Sequence, residues 1–101
     1  MRTPEGWEKA EIDAYLEKIG AYVVKPATYG YGGSGHSDRV VCITGQFWVI
    51  EAKREGKEPT PIQWRRINEC KAAGGEAAWG TAEKVIREIE TWRQIRIKAF
   101  R

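Results

Sequence analysis

Residues that build metal and redox centres are scarce in this sequence. Its 101 residues include one histidine, one methionine and two cysteines, and Cys42 and Cys70 stand 28 positions apart with no CxxC pair. A zinc site made of cysteine and histidine ligands cannot be assembled from this set. A small secreted domain held by disulfides would contain about four to eight cysteines. We therefore expect two reduced thiols that fill core space, and no redox chemistry.

Long apolar segments are also lacking. The longest apolar run, residues 47–50, has the length of a strand, whereas a membrane-spanning helix needs about 18 to 20 consecutive apolar residues. Residues 1–7 contain neither an apolar stretch nor the small-residue cleavage site of a secretory signal. With 42% hydrophobic and 31% charged residues, the composition is typical of a folded, soluble chain. We expect a single domain over residues 1–101 and a cytoplasmic location.

Positive charge exceeds negative charge only slightly, but it is unevenly distributed. The 17 basic and 14 acidic residues give a net charge of +3, and residues 84–101 hold six basic against two acidic side chains. A solvated helix face would explain this bias, and so would a surface that contacts nucleic-acid phosphates. The five tryptophans are enriched as well, and such residues often lie at a core edge or an interface.

The order of helix and strand signals predicts an α/β fold. Thr3 and Pro4 are typical of a helix start, Gly20 of a helix end, and Thr44-Gly45 of a hairpin turn between two β-rich runs. Both runs are apolar enough to be covered on both faces. Residues 93–101 form a basic tail whose Ile95, Ile97 and Phe100 alternate as in a strand. The predicted elements are a helix over 4–19, strands over 21–25, 38–43 and 46–51, a helix from 61 closed by Gly74, a strand over 76–79 and a helix from 81, which together form a mixed central sheet flanked by helices.

Three polar side chains interrupt the hairpin strands at one end. Asp38 begins the first strand of the hairpin, and Glu51 and Lys53 share one face at the end of the second, because side chains alternate along a strand. Asp38 and Glu51 lie six and seven residues from the turn, so they should stand nearly opposite each other. In the first helix, the apolar spacing 12, 15, 19 extends back to Glu8, which aims this carboxylate toward the buried side.

Two carboxylates placed close together indicate a cation between them. Their repulsion and burial are costly unless a positive charge holds them, and oxygen-only ligands suit Mg²⁺ or Mn²⁺. A lysine beside them can stabilise charge that develops on a phosphoryl group. Asp38, Glu51 and Lys53 therefore predict phosphodiester hydrolysis.

The same residues resemble a known nuclease superfamily. Asp38 followed thirteen residues later by Glu51-Ala52-Lys53 is similar to the PD-(D/E)xK nuclease core, which has an αβββαβ order. Gly35-x-x-Asp38, Gly45-x5-Glu51-x-Lys53 and Pro61-x-Gln63 resemble the VRR-NUC family, in particular its short stand-alone phage-type members. The likeness extends over residues 5–90. It departs at Ser37, where many relatives have proline.

The resemblance implies a role for each matching residue. Asp38 and Glu51 would bind the metal together with the backbone carbonyl of Ala52, and Lys53 would be the catalytic lysine. Gln63 would contact or position the metal and water shell. The remaining site residue is the acid of the first helix, for which the spacing to Gly20 favours Glu8 over its competitor Glu11. His36 is either a phosphate contact or a plain loop residue.

The resemblance also implies a substrate and an assembly. Nucleases of this size are similar to Holliday junction resolvases, which act as homodimers on branched DNA, so that two active sites address two strands. A phage-encoded chain would act in the cytoplasm of its host. The leading alternative is a non-catalytic nucleic-acid-binding module that uses its basic tail and aromatic side chains. A structural subunit is the third possibility, but it leaves Lys53 and Gln63 unexplained.

Overall fold

The predicted order of helices and strands is confirmed. The computed structural model describes residues 3–26 and 38–99, so the glycine-rich segment with His36 and Ser37, and Phe100, lie outside the described residues. Within them, three helices and four strands follow one another in the order expected. They are α1 (Pro4–Lys18), β1 (Tyr22–Val24), β2 (Arg39–Ile43), β3 (Gln46–Ala52), α2 (Pro61–Ala72), β4 (Glu76–Gly80) and α3 (Ala82–Ala99).

The four strands form one mixed sheet, as the fold class required. Their order is β1-β2-β3-β4, with antiparallel pairing among the first three strands and parallel pairing between β3 and β4. The parallel pair follows from the α2 crossover between them. The hairpin turn joins β2 and β3 at Thr44 and Gly45, whose φ angles of 49° and 84° are both in the left-handed region. This is the turn geometry that matches the twist of a two-residue hairpin.

The two faces of the sheet pack against different helices. Trp48, Ile50 and Ala52 of β3 belong to a buried cluster with side chains of α1 and α3. The alternate β3 residues, Val49 and Glu51, consequently face the side on which α2 packs. The cluster consists of Ile12, Leu16, Val41, Ile43, Trp48, Ile50, Ala52, Ala78, Ala82, Val85 and Ile89.

Side-chain caps fix where the helices begin. The Thr3 hydroxyl accepts a hydrogen bond from the Gly6 N–H at 3.0 Å. At α2, Thr60 and Gln63 form a capping box, in which each side chain accepts from the other's backbone N–H. The Thr81 hydroxyl accepts from the N–H of Lys84, which starts α3 directly after β4. These bonds satisfy N–H groups that a helix start leaves without partners.

Three local predictions, on the C-terminal segment, on Cys42 and on the covering of β2, are wrong. The segment with Ile95 and Ile97 continues α3 to Ala99 instead of forming a strand, because its arginines, lysine and glutamine favour a helix. Cys42 is exposed rather than packed in the core, and β2 is covered on one face instead of both. The reason is that α2 packs on β3 and β4 and does not reach β2. Both cysteines are free thiols, and Cys70 is partly buried. No helix among the described residues is both long and apolar enough to cross a bilayer.

Candidate active site at the end of strand β3

The β2–β3 hairpin brings Asp38 and Glu51 together. Arg39 pairs with Ile50, so the next residues out on each strand stand opposite each other. The Asp38 N–H donates to Glu51 Oε1 at 3.2 Å, and Asp38 Oδ2 accepts from the Ala52 N–H at 2.9 Å. Each acid is thus held by the backbone of the other's strand.

Glu51 is a buried carboxyl in an unfavourable environment. Glu51 is only 1% exposed, and its Oε2 atom is buried without a hydrogen-bond partner among the described residues. Burial, followed by the negative charge of the Asp38 carboxylate and a hydrogen bond with that side chain, raises the pKa of Glu51 to about 8, although the Asp38 N–H and the charge of Lys53 act in the opposite direction. A buried acceptor of this kind is costly unless a cation or a proton satisfies it.

Lys53 extends the same row of side chains. Its N–H donates to the Gly80 carbonyl at 2.8 Å, which continues the β3–β4 ladder one residue beyond β3. Because side chains alternate along a strand, Lys53 lies on the same face as Glu51, while Ala52 points into the core. Lys53 is 9% exposed, so its positive charge acts on Glu51 with little solvent screening.

The face of α1 that meets this site differs from the one the sequence indicated. Lys9 Nζ lies 3.4 Å from Asp38 Oδ1, and one turn later Asp13 binds Arg39 through two hydrogen bonds of 2.6 and 2.8 Å. Burial would raise the pKa of Asp13, but the hydrogen bonds and charges of Arg39 and Lys25 outweigh it and hold that pKa below its ordinary value. The spacing 9, 13 is one helical turn, which places both residues over the start of β2.

Glu8 occupies a different place. Its Oε1 accepts a hydrogen bond from the Ala82 N–H at 2.8 Å, so it caps the first turn of α3. The carboxylate is favourable there because a helix N-terminus carries partial positive charge. Glu11 is exposed and, with Glu8, borders a cleft next to that turn. The structure thus brings Asp38, Glu51 and Lys53 together, with Lys9 as the neighbouring α1 residue. The Glu8 side chain instead binds the start of α3.

Gln63 lies at the start of α2 and is engaged there. Its Oε1 accepts from the Thr60 N–H at 2.8 Å, as part of the capping box. The next residue, Trp64, packs edge-on against Trp79, the partner of Glu51 in β4, and Lys84 Nζ lies 3.8 Å from the Trp79 ring centre. Trp64 therefore holds α2 beside the acid pair, while the bonds of Gln63 stay within the start of α2.

Lys9 is a residue of the site that the sequence patterns did not indicate. Its signal was present, since Glu5 and Asp13 lie four residues before and after it and define one charged face of α1. The apolar stripe favoured Glu8, which is only one residue away, but adjacent helical residues point about 100° apart. This difference is enough to direct Lys9 to β2 and Glu8 to α3.

Comparisons with known proteins agree with the fold. No family model matches the chain, and no curated protein matches it. Among solved structures, the chain is similar to one described as a VRR_NUC domain, with a TM-score of 0.74 and 28% identity, over 88% of this chain and 97% of that one. The fold is thus that of a nuclease-type domain. The resemblance to the VRR-NUC family that the sequence indicates is confirmed.

Proposed function

We propose that this chain is a deoxyribonuclease that depends on Mg²⁺ or Mn²⁺ and hydrolyses phosphodiester bonds. The observation that carries the proposal is the acid pair: Asp38 and Glu51 are fixed side by side, and Oε2 of Glu51 is buried with no partner in the described part of the chain. Similarity to a VRR_NUC domain supports the same class of reaction.

The residues present fit a divalent ion. Asp38, Glu51 and the Ala52 carbonyl offer oxygen donors, which suit Mg²⁺ and Mn²⁺, and a cation there would satisfy the unpaired Oε2. When bound, such an ion supplies Lewis-acid activation of a phosphodiester and of a water nucleophile. Lys53 would hold its ammonium group against the charge that develops on the phosphoryl oxygens. Glu8 would position the start of α3 beside this centre, and Gln63 would contact or position the metal and water shell.

A cleft that begins at Arg54, the residue after Lys53, offers space for the substrate strand. It has a volume of about 640 Å³ and lies between the segment after β3 and the first turns of α3. Lys84 and Arg87 on α3 form ion pairs with Glu88 and Glu83, while Arg54 and Lys57 make no ion pair with other described residues. Arg54 and Lys57 are therefore the cations of this cleft that remain available to phosphates.

A cleavage assay tests the reaction. We expect DNA hydrolysis in Mg²⁺ or Mn²⁺, loss of hydrolysis in excess chelator, and recovery when the metal is returned. Calcium should bind without supporting turnover. Full activity in chelator would contradict the metal-dependent mechanism, and metal-independent binding without cleavage would favour a non-catalytic nucleic-acid-binding module.

For the substrate, we propose branched DNA such as a four-way (Holliday) junction, cleaved by a homodimer. Ile95 and Ile97 are 63% and 47% exposed at the end of α3, among basic residues, and a second copy would cover them. Two-fold symmetry would also place two metal sites at a fixed separation, which suits two strands of a junction.

Sedimentation and competition experiments test this assembly. We expect a dimer at micromolar concentration, and preference for a four-way junction over linear duplex at about 100 to 150 mM salt, where non-specific phosphate binding is weakened. A monomer that cleaves both substrates equally would refute the dimeric resolvase while leaving the nuclease itself intact.

A further inference from the structure

An ammonium group from α1 lies against the acid pair. Lys9 Nζ is 3.4 Å from Asp38 Oδ1, while the other oxygen of Asp38 accepts from the Ala52 N–H. The side chains of Lys9 and Asp38 are 34% and 19% exposed, so the contact is partly shielded from water. Glu5 Oε2 lies 3.9 Å from the same ammonium. Lys9 therefore offsets part of the negative charge of Asp38.

The donors around this pair are few. Within residues 3–26 and 38–99, no group of three or more acidic, histidine or cysteine side chains is close enough to hold a metal ion. Two adjacent divalent ions require several carboxylates, some of them shared, to offset four positive charges. Asp38 and Glu51 supply two negative charges, which match one divalent ion.

We infer that Lys9 is a positioning residue whose ammonium group takes the place of a second metal ion. The site then holds a single divalent ion, on the Glu51 side of Asp38. This inference rests on the proposed function, since it takes Asp38 and Glu51 as metal ligands. Lys9 balances Oδ1 of Asp38 and restrains the orientation of its carboxylate. Its charge also repels the incoming ion, so the site binds metal less tightly than the acid pair alone would.

Metal binding to the metal-free protein tests this role without any turnover. Bound Mn²⁺ is counted from the loss of the free-ion signal in electron paramagnetic resonance. We expect one ion per wild-type chain, and an affinity on the order of tenfold higher in Lys9→Gln, as expected for removing one partly screened charge. Lys9→Arg keeps the charge and should bind like the wild type. Lys18→Gln removes a positive charge from the far end of α1 and should also leave the affinity unchanged.

The possible outcomes separate the inference from the proposed function. Two ions per wild-type chain, or equal affinity in Lys9→Gln and the wild type, would overturn the role of Lys9 alone. No Mn²⁺ binding, or binding that Asp38→Asn leaves unweakened, would overturn the metal site and this inference together. In chelator, a double-mutant cycle of Lys9→Gln and Asp38→Asn should show coupling in the free energy of unfolding, and its absence would also overturn the contact.

Discussion

Replacement of Glu51 by glutamine should stabilise the metal-free protein at alkaline pH. The pKa of Glu51 is raised from 4.5 to about 8 by burial and by Asp38. The folded state therefore holds a proton that the unfolded chain releases over this range. The stability contributed by the protonated carboxyl is complete below about pH 4.5 and is lost as pH rises through about 8. Glutamine keeps the shape and removes the titration.

The size of the effect follows from the width of this range. At about 1.4 kcal/mol per pH unit, the interval between 4.5 and about 8 corresponds to at most about 5 kcal/mol. Relaxation around an ionised Glu51 will reduce this value, so we expect Glu51→Gln to exceed the wild type by about 2 to 4 kcal/mol at pH 8.5. Near pH 5 the two proteins should differ little.

Urea unfolding in chelator, between pH 5 and 9, measures this difference. Glu17→Gln, a matched change at an exposed position of α1, should follow the wild-type curve. Other groups that titrate in this range are common to all three proteins and cancel in the comparison. Addition of Mg²⁺ should abolish the alkaline loss of stability in the wild type. Parallel curves for the wild type and Glu51→Gln would refute the electrostatic description of the site.

Three further predictions follow from other contacts. Lys53→Ala should lower cleavage by about 10²- to 10³-fold in a metal-dependent assay while circular dichroism stays unchanged, and cleavage at the native rate would contradict the assignment. Glu8→Ala should lose about 1 kcal/mol of stability, whereas Glu8→Gln, which keeps an acceptor for the Ala82 N–H, should be as stable as the wild type. Loss of cleavage without loss of stability in Glu8→Gln would instead make Glu8 catalytic. Asp13→Asn should remove an acid-dependent loss of stability. The pKa of Asp13 is lowered on folding, so the ionised carboxylate stabilises the fold above the ordinary pKa of about 3.8, and this stability is lost as pH falls through the folded-state pKa. Acid unfolding that is the same in both proteins would contradict this.

Local signals made most of the fold predictable. Thr3, Pro4 and Gly20 bound α1 through capping and backbone preferences that act within a few residues. Thr44-Gly45 set the hairpin register, which in turn placed Asp38 opposite Glu51. These features depend on neighbouring residues along the chain, so the sequence alone was sufficient to infer them.

The contacts between distant elements were not predictable in the same way. Glu8 binds Ala82 across 74 positions, and Lys9 meets Asp38 only because α1 crosses the start of β2. Such contacts depend on how a helix is rotated about its axis, and an apolar stripe defines that rotation only coarsely. The exposure of Cys42 likewise depends on how far α2 extends across the sheet.

The acid pair belongs to a single hairpin, and this has a consequence for folding kinetics. Asp38 and Glu51 are separated by thirteen residues, whereas Lys9 comes from a helix 29 positions before Asp38. Contacts over short sequence distances form more readily than distant ones. The repulsion between the acids is therefore expected to arise early, before α1 brings its compensating charge. Protonation of Glu51, or an ion bound between the two acids, would relieve this repulsion and would then change the folding rate as well as the unfolding rate.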